Sequence, residues 1–223
     1  MKLRIPENLT QRAYRAIRDD IVKGRLNGKQ RLTEAFFVRR LGVSKSPIRE
    51  ALNRLEADGL IVIEPRKGAS VVSLSVEDVD EIYELREILE AAAIRNLAAE
   101  PKTWPRLRAS LDEAKRALRA NDKAGYILAD AEFHGVIAKA NTNSRLRRFL
   151  ESMHGQMLVL RHQTYELSSG RSVVDHEQIL EALEEGNHER ASRLMTEHIH
   201  AVRAKLVEHL RSYSNKITPG RRT

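Results

Sequence analysis

The sequence predicts a mainly α protein in two parts, and three observations carry that prediction. Residues 43–63, VSKSPIREALNRLEADGLIVI, begin at a serine-rich helix start, turn amphipathic, stop at a glycine and enter a short β-branched run. Pro65-Arg66-Lys67-Gly68 then forms a basic turn before a second short run at 69–72. From residue 75 onward only helical periodicities recur.

Composition bounds the alternatives. Apolar residues make up 41% of the 223 and charged residues 31%, as in a soluble globular chain. No apolar run approaches the ~20 residues of a membrane span, and the opening MKLRIPENLT has no hydrophobic signal core. Cysteine is absent, which excludes disulfides and thiolate chemistry and fits a cytoplasmic location. Net charge is +8, and residues 1–78 hold 16 Lys/Arg against 10 Asp/Glu. The positive excess therefore sits in the first third, as expected of a segment that meets phosphate.

The elements follow in order. A first helix starts after Thr10, with Ala13, Ile17 and Ile21 on one face, and ends near Gly24; Asn27-Gly28 is a turn signal. A second follows Thr33 and is broken by Gly42. The third runs from about 45 to 58 with Ser44 or Ser46 as N-cap, and Pro47 is tolerated because first-turn amides lack intrahelical partners. Two strands at 60–63 and 69–72 flank the Pro/Gly turn. Helix, turn, helix and hairpin together make a winged helix-turn-helix. Residues 74–78 form the junction, where Ser75 and Asp78 have the spacing of a capping box. Six bundle helices are expected at about 76–99, 103–120, 122–140, 143–166, 172–186 and 188–213. Their breaks fall at Pro101/Pro105, Asn121, Asn141, Ser168–Gly170 and Gly186-Asn187. The domains expected are 1–74 and 75–214, followed by a basic tail at 215–223.

On the third helix Ile48, Leu52 and Leu55 form a stripe that packs inward, while Lys45, Arg49 and Asn53 form another that faces outward. Early-turn basic side chains suit a DNA major groove, where Arg pairs bidentately with guanine and serine hydroxyls bind phosphate or base edges. Arg66 and Lys67 at the wing tip are placed to reach backbone or minor groove. An ordinary solvated helix face would explain the charge pattern alone, but not its coincidence with the turn, the cap and the hairpin.

The segment RLTEAFFVRRLGVSKSPIREALNRLEADGLIVIEPRKGASVV resembles the winged helix of GntR-type bacterial transcription regulators. The resemblance implies DNA contacts by Arg49, by the Ser44-Lys45-Ser46 turn and by the wing-tip Gly68. The chain departs from the family pattern at Lys45, usually Arg, at Phe37-Val38, usually Leu-Ala, and at Ala35, where some members carry a basic residue. Lysine is a point donor without a rigid fork, so Arg49 becomes the main base-reading candidate. LSVEDVDEIYELREILEAAAIRNLA is similar to the start of the all-helical effector (FCD) domain of the FadR subfamily, and six helices resemble its shorter, VanR-like branch. The likeness covers residues 9–212 and implies a homodimer on a palindromic operator.

Asp130 and His134 stand at i, i+4 on the inward stripe of the third bundle helix. Alone, that spacing is better explained by a surface ion pair or a hydrogen-bonded core histidine. His176, with Ile179 and Leu183, and His198, with Met195 and Val202, also face inward. Three imidazoles and a carboxylate suit a divalent transition ion with positions left open, zinc first, with nickel or manganese as alternatives. The family resemblance implies that Asp130, His134, His176 and His198 are this metal set. Arg86 lies on the inward stripe of the first bundle helix. It either pairs with a bundle carboxylate such as Glu90 or anchors an effector, and the resemblance implies small organic acids as effectors. Arg161 and Arg171 are weaker candidates. The expected function is a ligand-responsive transcription regulator, a repressor by preference. A metal-sensing regulator, a DNA-tethered metalloenzyme and an architectural DNA-binding protein are the rivals.

Overall fold

The computed structural model describes residues 8–26, 31–64, 68–97 and 103–217, with side chains as far as 212. The Asn27-Gly28 turn, the wing-tip Arg66 and Lys67, the break at Pro101 and the tail from 218 lie outside the described residues. The chain divides into two units, one of Met1–Ser73 with His154–Val159 and one of Leu74–Met153 with Leu160–Thr223.

In the first unit Asn8 caps α1 (Leu9–Val22), its side chain accepting from the Thr10 N–H at 2.9 Å. Thr33 caps α2 (Glu34–Leu41) in the same way through the Phe36 N–H at 3.1 Å. Gly42 ends α2 in the left-handed region, φ 64°, the tight corner between two helices that a side chain would strain. α3 (Lys45–Ala57) follows, with Ser44 at the N-cap position but no side-chain cap bond. Ile17, Phe37, Ile48 and Leu55 are fully buried, so the inward stripe read from sequence is the core face. β1 (Ile61–Glu64) and β2 (Gly68–Val71) pair antiparallel, with Ile61 opposite Val71 and Ile63 opposite Ala69. Leu32 adds an isolated bridge to Ala69.

The second unit is helical throughout its described residues. Ser75 and Asp78 form the expected capping box at the start of α4 (Val76–Arg95), with both reciprocal bonds present. α4 packs on α9 (His188–Ile217), and α5 (Thr103–Arg119) packs on α6 (Lys123–Lys139). α6 is the central helix. Tyr126, Ile127, Ala129, Asp130, Phe133, His134, Val136 and Ile137 are all buried, leaving it almost no solvated face.

One expectation needs correction. The break at Ser168–Gly170 does not occur: α8 runs unbroken from His154 to Glu184, and the chain turns instead at Met153, after α7 (Ser144–Ser152). Serine and glycine inside a helix cost only about 0.5–1 kcal/mol each. That penalty is outweighed by burial of Leu160, Tyr165, Val173, His176 and Ile179 along the same helix. Ser168 also satisfies itself within the helix, its hydroxyl donating to the Thr164 carbonyl at 3.1 Å. The last helix likewise continues past the expected end at 213, to Ile217.

Candidate DNA-reading helix and metal centre

α3 presents Ser44, Lys45, Ser46, Arg49 and Asn53 to solvent. Its opposite face is held by Ile48, Ala51, Leu52 and Leu55 in the core. The Arg49 guanidinium is gripped by Glu34 at the start of α2, Nε to Oε1 at 2.7 Å and Nη2 to Oε2 at 3.2 Å. This two-point contact fixes the guanidinium plane, and chiefly through that hydrogen bond it holds the Glu34 carboxyl below its ordinary value. Glu34 was not singled out from the sequence, because a bridge between residues 15 apart depends on how α2 and α3 cross. Gly68 opens β2 at φ 90°, and a Cβ there would lie 2.9 Å from the Arg31 side chain.

In the bundle interior α6 supplies Asp130 and His134, α8 supplies His176, and α9 supplies His198. All four are buried. One ring nitrogen from each histidine lies within 4.8 Å of those of the other two. The Nε2 atoms of His176 and His198 are 3.3 Å apart, close to the roughly 3.4 Å separating two imidazole nitrogens on one tetrahedral zinc. Asp130 is close without joining the three: its Oδ1 is 3.9 Å from His176 Nε2, while Oδ2 accepts from Arg161 Nε.

The ring orientations are set by carboxylates behind them. His134 Nδ1–H donates to Glu90 Oε2 at 2.5 Å, and Arg86 Nη2 donates to His134 Nε2 at 2.8 Å. A carboxylate on one nitrogen and a guanidinium on the other impose one tautomer, with the lone pair on Nε2. Asp175 Oδ2 stands 3.2 Å from His198 Nδ1 and turns that ring's Nε2 toward His176. Phe133 stacks on His176, centroids 4.2 Å apart and planes 8° from parallel. Carboxylate-backed imidazoles are the usual support of metal-binding histidines.

Electrostatics agree with the ligand form. Burial first, then the Arg86 charge, holds His134 well below the ordinary imidazole value. Burial and the neighbouring His198 hold His176 down to about 3. Both rings are therefore neutral at pH 7, the form that donates to a metal. For Asp130, burial favours the neutral acid, but Arg161 beside it, then His134 and His176, outweigh burial and keep the carboxylate ionised.

Of the two readings left open for Arg86, the structure shows the ion pair. Its Nε meets Glu90 Oε1 at 2.5 Å, and its side chain is 4% exposed. It still borders a small polar cavity, together with Tyr83, Asp130, Arg161 and His198. Arg161, the weaker candidate from sequence, is buried there; Arg171 is 66% exposed and pairs with Asp175. Sequence reasoning missed Glu90 as the partner of His134, although its i, i+4 spacing from Arg86 was visible. It also missed Phe133 and Tyr83, which nothing short of the packing distinguishes from ordinary core aromatics.

Comparison with known proteins agrees across nearly the whole chain. A profile described as the FCD domain matches residues 81–201, and one described as bacterial regulatory proteins, gntR family, matches residues 9–71. An uncharacterised HTH-type transcriptional regulator of Bacillus subtilis (strain 168), YdhC, is 29% identical over 190 residues, which cover 83% of this chain and 85% of that one. A probable D-xylose utilization operon transcriptional repressor of Paenarthrobacter nicotinovorans is 29% identical over 185 residues, covering 82% of this chain and 81% of that protein. Among solved structures, a putative GntR transcriptional regulator from Rhodococcus sp. RHA1 superposes with a TM-score of 0.77 at 27% identity. It covers 89% of this chain and 97% of that one.

Proposed function

Starting from the fact that this chain belongs to the GntR family of bacterial transcription regulators, with an FCD domain as its second part, we propose that it is a repressor whose bundle binds a divalent metal ion and a small organic acid. The chain is a DNA-binding regulator rather than an enzyme, as its family and relatives are. The finer reading rests on one observation: three buried imidazole nitrogens on three different helices converge within 4.8 Å of one another. Burying three imidazoles against one another is costly unless their ring nitrogens find partners.

His134, His176 and His198 would hold the ion, with Asp130 beside them. The bound ion would supply positive charge and open positions for a carboxylate oxygen. The protein's own part is to hold the rings: Glu90 and Asp175 fix their tautomers, and Phe133 packs against His176. The single lone pair of His134 Nε2 serves either Arg86 or an ion. On the DNA side, Arg49, Lys45, Ser44 and Ser46 would read a palindromic operator as a homodimer, since one winged helix gives too few base contacts for high specificity. Wing-tip contacts by Arg66, Lys67 and Gly68 belong to the same proposal. Acid binding would then shift the equilibrium between arrangements of the two reading heads.

The test is operator binding by the metal-loaded protein against a panel of carboxylates, repeated with a chelator. An acid that weakens binding only when metal is present supports the reading; a protein that binds its operator identically with every acid overturns it. A second reading, in which the ion alone is the signal, is favoured by the pairing of two buried arginines, Arg86 with Glu90 and Arg161 with Asp130. Chelation alone changing operator affinity would select that reading.

A further inference from the structure

Two cavities meet the histidine cluster, and they differ in their walls. The first, bordered by Tyr83, Arg86 and Arg161, is lined by buried residues throughout and carries two guanidinium groups. The second is lined by Arg171 and Asp175 of α8 and by Leu194, Glu197 and His198 of α9. Arg171 and Glu197 are exposed while Asp175 and His198 are buried, so this cavity leads from solvent to the cluster. Its volume is about 60 Å³, several times the roughly 10–15 Å³ that one water needs. His198 lines both cavities.

The donors of the second cavity are graded from the surface inward. Leu194, Glu197 and His198 stand at i, i+3 and i+4 and share one face of α9. The Glu197 side chain is in water, whereas His198 is 3% exposed. Asp175 joins the surface to that ring: its Oδ1 accepts from Arg171 Nε at 2.7 Å, and its Oδ2 lies 3.2 Å from His198 Nδ1. On the other side of the ring, Nε2 is 3.3 Å from His176 Nε2. An exposed carboxylate, a buried carboxylate and then imidazoles therefore follow one another. Carboxylates suit hard, hydrated ions and imidazoles suit transition ions, so this order draws a transition ion inward. Arg171 opposes it as a cation at the mouth. The Arg171 side chain is largely in water, so its bond to Asp175 is screened and cheap to open, as a gate requires.

We propose that a divalent transition ion reaches the three histidines through this cavity, with Glu197 as its first acceptor at the mouth and Arg171 as a gate closed on Asp175. The inference rests on the metal reading above and adds how the site is filled. Glu197 touches the ion only in passage, so it sets rates without setting affinity. Withdrawal of Arg171 removes the opposing charge and uncovers a carboxylate oxygen of Asp175.

The experiment uses the full-length protein, stripped by a chelator and mixed with zinc in stopped flow, with free zinc read by a fluorescent indicator. Release is read against excess chelator. Glu197→Gln is expected to slow uptake and release by the same factor, about tenfold, leaving the dissociation constant within about threefold of the parent. Arg171→Gln should speed uptake about three- to tenfold. Both variants alter exposed side chains, so their melts should coincide with the parent's. Glu208→Gln removes an exposed carboxylate of α9 outside the cavity and should leave both rates alone, although it changes net charge as Glu197→Gln does. Unchanged uptake in either cavity variant, or equal slowing by Glu208→Gln, overturns the route and leaves the metal reading standing. So does a Glu197→Gln protein whose affinity falls through faster release alone, since Glu197 would then hold the ion. A parent protein that takes up no zinc fells the metal reading and this inference with it.

Discussion

The same chemical pair, an arginine against a carboxylate, appears in both units with different consequences. In the reading head Arg49 and Glu34 meet in water, their side chains 63% and 31% exposed. In the bundle Arg161 and Asp130 meet with side chains 7% and 10% exposed. Solvent screens the first pair, so it adds little to stability, and its guanidinium can be surrendered to another partner. Burial removes water from the second, so each member depends on the other. The unit that reads DNA keeps its functional groups cheap to detach, and the unit proposed to sense a ligand keeps its own locked.

That contrast can be broken by removing one partner at a time. Arg161→Ala strands the Asp130 carboxylate and is expected to cost about 3–5 kcal/mol, read as a fall in the urea midpoint. A loss within the range of a surface pair would show that water reaches Asp130 after all. The histidines give the next effect. His134 and His176 are held below the ordinary value of 6.5, His176 to about 3. Below pH 6.5 the unfolded chain takes up protons that these native rings refuse, so in chelator-treated protein stability falls with falling pH. The slope is up to about 1.4 kcal/mol per pH unit for each ring. His176→Gln should flatten that slope; an unchanged slope would mean that the ring is solvated.

Arg49→Ala is expected to leave the melting temperature where it is while weakening operator binding about ten- to hundredfold. A variant that melts early but binds DNA normally would reverse the contrast. Smallest is the loss of a helix cap. Thr33→Ala removes the bond to the Phe36 N–H and should cost about 1 kcal/mol in a thermal melt.

Much of this was legible in the sequence, because the local signals agreed. Ser75 and Asp78 announced a capping box, Gly42 a tight corner, and Ile48, Leu52 and Leu55 a buried stripe, and each stands as expected. The inward His134, His176 and His198 were also visible from periodicity. Ser168–Gly170 misled because propensity is a weak local term, and the buried face of α8 overrides it. Arg86 remained undecided for a different reason: whether an inward cation pairs or waits for a ligand depends on where Glu90 and His134 place their atoms.

By itself the sequence determined the element order, the outward basic face of α3 and which histidines turn inward, since these follow from turn chemistry and helical periodicity within a few residues. Only the tertiary structure decided that Glu34 grips Arg49, that Asp130 is taken up by Arg161 while three histidines close on one another, and that the Tyr83 hydroxyl is buried without a hydrogen-bond partner among the described residues. Those facts join residues as many as 64 apart along the chain, such as His134 and His198. Distances across that separation are set by how helices pack, which no local pattern records.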